Sequence, residues 1–496
     1  MDFIGIDVGT SGCKASVISQ TGQIRKSARQ DYPVLGNAPG EAVLSLTAVW
    51  NSVKAALKEL APEASGAKAA AVSSLGETLA LVGKDGKLLL DTAITYMDER
   101  NVKMWDRLKR LVPEKEVYEI TGKTGPQIAA VNQYTWWKEQ EPTLSEQADR
   151  ILFVDSFIAY MLSGEAAVDY SAASNTLFFD INTLEWSGEL ADAFGVDLTK
   201  FPNVVRAGTR LGPIRRKLAE ELGLPFGLEI LSGCHDQISA AIGGGALESG
   251  DAVLGEGSTE ALNLLVDKAQ IGRLKKGRLP IEPFAGKGVY ISMFSQYMHG
   301  NCLKWFVENF TGDLKETCDR EGRSVYEALN TACTSVLPSD LIFLPYLSGT
   351  CFSDIGKPMG SFIGMDTGTT VSHLYRAMLE GLSCETAGMF DQIKQYQIPC
   401  KKITAVGGAS CSSVYMQIKA DVCGREIETL KQSEAGVRGL AMLCAVEAGC
   451  YSDLREAGAQ FLERDRLYVP QREASGIRRR YEAVRDAVKQ FYAQSE

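Results

Sequence analysis

Three times in 496 residues an apolar strand signal runs directly into a turn of glycines and small hydroxyl residues: DVGTSGCK at 7–14, GEGST at 255–259 and VGGASCSS at 406–413. Successive glycines let backbone N–H groups crowd toward one point, and a following helix N-terminus adds partial positive charge, so each turn is a candidate anion cradle. A single such turn is most often only a tight bend. Three of them at strand ends point to phosphate. In the first, Asp7 interrupts a buried strand, FIGIDVG, which is costly unless the carboxylate caps its own turn or meets a cation. A hydrated Mg2+ carried by a nucleotide would meet that need.

The N-terminal half alternates strand and helix signals: FIGIDVG, a helical stretch from Ser45 to Leu60, then AAAVSSLG and the strand-turn-strand LALVGKDGKLLL. A longer helical region from Asn101 to about Met161, broken at Pro142, reads as an insertion that shapes a pocket. Glycine concentrates in GGGALESG, 243–250, which sets a domain boundary and divides the chain into 1–247 and 248–496. The second half loosely repeats the strand-then-glycine-turn plan, with strands at LIFLPYL and ITAV and a helix from Val371 to Tyr396. An internally duplicated α/β fold with a cleft between two domains is the expectation.

The net charge of -10 disfavours a generic nucleic-acid or anionic-membrane binder. No apolar run reaches the roughly 18 residues of a spanning helix, and no basic-plus-apolar leader stands at Met1, so a cytoplasmic protein is expected. The 12 cysteines lack C-x-x-C pairs and sit mostly in apolar contexts such as Cys234, Cys423 and Cys444, which reads as reduced thiols. Only three histidines occur, so any metal is expected on oxygen ligands.

Two familiar nucleotide motifs fail. Gly122-Lys123-Thr124 looks like the end of a Walker loop, but Val117 stands where its first glycine belongs. Gly255-Glu256-Gly257 is no dinucleotide fingerprint, because Glu260 takes the third glycine position. A second acid, Asp236, interrupts the strand-to-helix passage ILSGCHDQISAAIGGG. It reads either as a helix N-cap or as a general base that accepts a substrate hydroxyl proton during phosphoryl transfer.

These residues resemble the FGGY carbohydrate kinases, within the actin, hexokinase and Hsp70 class of two-domain ATPase folds, whose two domains are ribonuclease H-like duplicates. GSFIGMDTGTTVSHLYRAMLE, 360–380, is similar to that family's C-terminal signature throughout, and the likeness extends to DVGTSGCK, TYMDER, DYSAASNTLFFD, GCHDQISAAIGGG, LIFLPYLSGT and GGASCSSVYMQIKADVCG. The resemblance implies ATP and Mg2+ as cofactors. It implies that Asp7, with Asp236, holds the Mg2+ through water, and that Thr10, Ser11 and Lys14 face the phosphates. Gly257 and Ser258 would form a second phosphate loop, Gly407, Gly408 and Ala409 an adenosine-side turn with Ser412 nearby, and Asp236 the catalytic base.

Departures fall on the sugar side. Xylulose kinases carry Gln-Met-His where this chain has Leu75-Gly76-Glu77, and glycerol kinases carry Arg-Glu-Thr, matched by Glu77 and Thr78 but not by Gly76. Asp236-Gln237 resembles the glycerol-kinase pair, whereas Gln133 replaces the usual lysine of the N-terminal signature region. A missing arginine leaves space for an acceptor larger than a triol. Glu77, Thr78, Asp98 and Gln237 are therefore the candidate hydroxyl partners, with pairing to Arg100 the alternative for Asp98 and packing the alternative for His235. The expected activity is ATP-dependent phosphorylation of a ketopentose such as xylulose, or a related ketose or polyol. A glycerol, fuculose, gluconate or erythritol kinase and a non-catalytic sugar sensor are the rivals. The expected partner is a small sugar or polyol; a homodimer is compatible with the sequence.

Overall fold

The computed structural model describes residues 1–493 apart from 287, 297, 337–339, 348–358 and 433. The last three residues of LIFLPYLSGT thus lie outside the described residues. The elements that position the sites are, in chain order, β1 (Asp2–Val8), β2 (Gly12–Ser19), β3 (Ile24–Asp31), α1 (Leu46–Leu60), β4 (Ala67–Ser74), β5 (Arg210–Pro213), β6 (Glu229–His235), α2 (Asp236–Gly244), β7 (Asp251–Glu256), β8 (Glu260–Asp267), α3 (Gly300–Phe310), α4 (Val371–Gln395), β9 (Lys402–Val406), α5 (Ser413–Cys423), β10 (Ile427–Leu430), α6 (Ala435–Glu447), β11 (Arg464–Tyr468) and α7 (Ser475–Ala493).

The chain forms two compact units, one of residues 1–249, 265–292 and 434–462, the other of 250–264, 293–433 and 463–496. The first is thus assembled from three stretches of sequence, with α6 joining it from near the C-terminus.

In the first unit the strands lie in the order β5-β6-β4-β1-β2-β3. β1 is antiparallel to β2 and parallel to β4, β4 is parallel to β6, and β6 is antiparallel to β5. In the second unit β8-β7-β9-β10-β11 repeats that sequence of directions: antiparallel, parallel, parallel, antiparallel. The duplication expected from the glycine turns is therefore a duplication of sheet topology. Each turn sits where the first strand of its unit hairpins to the second, or where a parallel strand ends and a helix begins.

The central strands read as near-continuous apolar runs because both faces are covered. Ile4, Ile6 and Val8 of β1 pack with Val49, Val53 and Leu57 of α1, which is amphipathic and N-capped by Ser45 Oγ. The insertion 101–161 is mostly helical; Pro142 opens a helix, where its missing N–H costs nothing, and a strand at Arg150–Phe153 interrupts the run. Among the described cysteines none is disulfide-bonded, and Cys234, Cys423 and Cys444 are buried thiols. No described helix is long and apolar enough to cross a membrane.

One packing contact in the first unit depends on glycine. A Cβ on Gly5 of β1 would lie 2.3 Å from the Val437 carbonyl oxygen of α6, one on Gly243 of α2 1.9 Å from that of Ala435, and one on Gly439 of α6 2.0 Å from that of Ser239. Backbone therefore rests on backbone where α6 crosses β1 and α2. Gly439→Ala should destabilise the first unit by about 1–3 kcal/mol through overpacking, read as a lowered melting temperature. An unchanged melting temperature would contradict this packing.

Candidate active site

In the first unit the candidate residues gather at the C-terminal ends of β1, β4 and β6. Asp7 lies opposite Lys14 of β2 and Ser73 of β4 in the sheet register, and its Oδ1 accepts a 2.6 Å hydrogen bond from Ser73 Oγ. The close approach of α6 continues here, since a Cβ on Gly436 would sit 2.9 Å from Asp7 Oδ2. Burial, then the charge of Asp236, push the Asp7 carboxyl up to about 6 despite the Ser73 bond. Among the described residues no cation pairs with it directly: the Lys14 ammonium is held 2.5 Å from Glu434, so its charge is already compensated.

Asp236 opens α2 with its side chain 30% exposed. Burial raises its carboxyl, while the His235 charge and hydrogen bonds from the backbone and side chain of Gln237 oppose that. Gln237 therefore sits against the proposed base. His235 is no inert packing residue. Its Nε2 lies 3.2 Å from Asp236 Oδ1 and its Nδ1 2.9 Å from Glu282 Oε1. A ring with a carboxylate at each nitrogen carries both protons, since a lone pair facing either one would be repelled. Burial would lower this imidazolium, but Glu282, Asp236 and Glu77 outweigh it and raise it to about 10. Glu282 accepts in turn from Lys123 Nζ at 2.7 Å, and although burial opposes it, Lys123 and His235 hold its carboxyl down at about 2.

Other sequence candidates fare differently. Glu77 belongs to this cluster: burial raises its carboxyl, and His235, Lys123 and Asp236 all act on it. Thr78 does not, because it is fully buried and its hydroxyl finds no partner among the described residues. Asp98 takes its structural alternative. Its side chain is fully buried and accepts from Arg100 Nε, Arg100 NH2, the Arg100 backbone and the Ala42 N–H, which leaves no lone pair for a sugar. The space expected at Gly76 is also filled, since a Cβ there would lie 2.6 Å from Asn175 Nδ2 and 3.0 Å from His235 Cδ2. Thr10 lies beside the Tyr96 hydroxyl, which also feels the charges of Asp236 and Glu77, and Ser11 stands exposed in the same turn. Sequence reasoning missed Tyr96, Lys123 and Glu282.

The second unit holds a cavity of about 590 Å3, within the roughly 300–1,000 Å3 range of small-molecule sites. Gly257, Ser258, Gly408, Ala409 and Ser412 all line it, with Tyr326, Asn330 and Tyr375 on its walls. Gly407 does not; it stands behind, at φ 100°, where a Cβ would meet the Glu256 carbonyl at 2.8 Å. Ser412 N-caps α5 by accepting from the Tyr415 N–H at 3.2 Å. The Gly257 and Ser258 carbonyls accept from Gly300 and Asn301 at the start of α3, which fixes the loop.

Beneath that cavity Glu256, Glu260 and His299 come close enough to bind a metal ion. The Lys419 ammonium occupies the position instead, 2.6 Å from Glu256 and bonded also to Glu260, with no exposed surface. Burial opposes its charge, but the two carboxylates raise it well above an ordinary lysine, while Lys419 and His299 lower Glu256. This is an ion-paired structural centre and not a metal site.

The first-unit cluster is different. Among the described residues, Asp7, Glu77, Asp236 and Glu282 meet Lys123 and His235 as cations, with Lys14 acting on Asp7 while paired to Glu434, so the anions are in excess and all unfilled donors are oxygens. That donor set fits Mg2+. Asp7 gives a stability test in metal-free buffer. With its carboxyl at about 6 when folded and near 3.8 when unfolded, the folded state binds more protons between those values. Its stabilising contribution is complete at low pH and is lost as pH rises through 6. Asp7→Asn should stabilise the unit by about 2–3 kcal/mol at neutral pH, with the gain shrinking toward pH 4. A pH-independent change in melting temperature would contradict the raised carboxyl.

Comparison with known proteins agrees in scope with this pair of sites. The model of the N-terminal domain of the FGGY family of carbohydrate kinases matches residues 3–243, and that of the C-terminal domain matches 262–448. Xylulose kinase of Staphylococcus epidermidis is 26% identical over 98% of this chain and 96% of its own. L-fuculokinase of Escherichia coli K12 is 26% identical over 82% of this chain and 83% of its own. The crystal structure of ligand-bound xylulose kinase from Lactobacillus acidophilus superposes with a TM-score of 0.87 at 23% identity, covering 100% of both chains.

Proposed function

The chain belongs to the FGGY family of carbohydrate kinases, with the two-domain, actin-like fold of that class, and from that premise we propose that it phosphorylates a ketose or polyol hydroxyl with Asp236 as the base. The family's reaction uses ATP. The acceptor favoured is a ketopentose such as xylulose, supported by the full-length likeness to xylulose kinases. L-Fuculose is the second candidate, on the likeness to L-fuculokinase.

The observation that carries this reading is Asp236 itself. It is a partly exposed carboxylate at a helix start, oriented by Gln237 and by a cationic ring. Burial makes it more basic than a free aspartate, and the His235 charge keeps it ionised, a balance that suits a group taking a proton from an alcohol as the oxygen attacks phosphorus. Glu77 and Gln237 are the acceptor's hydroxyl partners in this reading; Thr78 is left out because its hydroxyl is fully buried, and Asp98 because its oxygens are already taken. Asp7, with Asp236, would hold Mg2+ through water, and the ion would screen the phosphate charge as the bond breaks. Thr10, Ser11 and Lys14 serve the phosphates, Lys14 only by exchanging Glu434 for a phosphate oxygen. The cavity lined by Gly257, Ser258, Gly408, Ala409 and Ser412 takes the nucleoside, with Gly407 as backbone support.

Asp236→Asn keeps the shape and removes the base. It should lower kcat for xylulose by about 10²–10⁴-fold while ATP affinity, measured by calorimetry, changes little. Turnover close to the parent's would refute the assigned base.

A further inference from the structure

We propose that Glu282 and Lys123 are positioning residues of the acceptor site: they hold the His235 ring where a side chain at position 76 would otherwise stand, and so set which acceptors fit. The proposal rests on the kinase reading above but concerns residues that reading does not use.

The geometry is a chain of fixed contacts within the first unit. Lys123 Nζ takes one oxygen of Glu282 at 2.7 Å, and the other oxygen meets His235 Nδ1 at 2.9 Å, so the carboxylate cannot rotate without losing a partner. Glu282 is almost fully buried, its side chain only 3% exposed, so an uncompensated charge there would be costly and the Lys123 pair is retained. With Nδ1 anchored, the ring has one orientation. It places Nε2 3.2 Å from Asp236 and its Cδ2 edge over Gly76, where a Cβ would come within 3.0 Å. The ring thus does two things at once: it aims the base, and it walls the side of the site vacated by the side chain missing at position 76. Lys123 belongs to Gly122-Lys123-Thr124, the Walker look-alike, and its ammonium serves this chain of contacts.

Steady-state kinetics with xylulose and ATP test this on Glu282→Gln, Lys123→Met and Gly76→Ala. Releasing the ring should raise KM for xylulose on the order of tenfold in each of the first two variants, with KM for ATP unchanged within about two-fold. G76A should raise the sugar KM in the parent, where its Cβ meets Asn175 Nδ2 at 2.6 Å and the ring edge at 3.0 Å, and should add less than that in the E282Q background, where the Asn175 contact alone remains fixed. Where E282Q does not fold, K123M carries the same comparison. A parent enzyme that phosphorylates no pentulose, hexulose, polyol, glycerol or aldonate defeats the kinase reading. A parent that does so, with sugar KM within about two-fold in E282Q and K123M, or with G76A fully additive, overturns this inference alone.

Discussion

Close approach at four glycines, backbone on backbone at three of them and backbone on the Asp7 carboxylate at Gly436, is the constraint on which the first unit depends. Gly5, Gly243, Gly436 and Gly439 have no Cβ to hold α6 away from β1 and α2, and each added Cβ would come within 1.9–2.9 Å of a neighbour. Because α6 can lie that close, its first turn reaches the carboxylate of Asp7, and Glu434 just before it meets Lys14. A helix from residues 435–447 thereby completes a site whose other parts come from residues 7 to 282. The cost is a carboxylate held where burial and a second acid both oppose its charge. Native proteins keep such groups where chemistry needs them.

The two units share a sheet topology and hold their buried carboxylates differently. In the second, the Lys419 ammonium bridges Glu256 and Glu260 beneath the cavity. In the first, carboxylates outnumber cations. One duplicated plan therefore carries a lysine-bridged carboxylate pair in one unit and a carboxylate cluster whose donors are oxygens in the other. The difference lies in a few side chains, in keeping with the general independence of fold and chemistry.

Much of this was legible in the chain because strand-terminal acids and glycine turns announce themselves locally. Asp7, Asp236 and the turns at 255–259 and 406–413 stand where sequence periodicity changes, and the cavity in the second unit gathers five of its six predicted contacts. The rest depended on tertiary contacts that have no local signature. Glu282 sits in RLPIEPF, an unremarkable stretch, and only folding sets it against His235, 47 residues away. For Asp98 the sequence left a sugar contact and pairing to Arg100 both open, and the Ala42 N–H that takes a further share of its oxygens is 56 residues distant. Gly76 looked like open space because Asn175 and His235, which fill it, are remote in sequence. Lys14 looked available for phosphate because Glu434 lies 420 residues on.

The central claim is that these residues transfer phosphate from ATP to a sugar. A coupled assay of ADP release with pentuloses, hexuloses, polyols, glycerol and aldonates in turn tests it most directly. The account predicts that at least one ketose or polyol releases ADP in step with a sugar phosphate, and that no ADP appears without it. ADP release that is the same with and without every sugar, or absent with all of them, would contradict it.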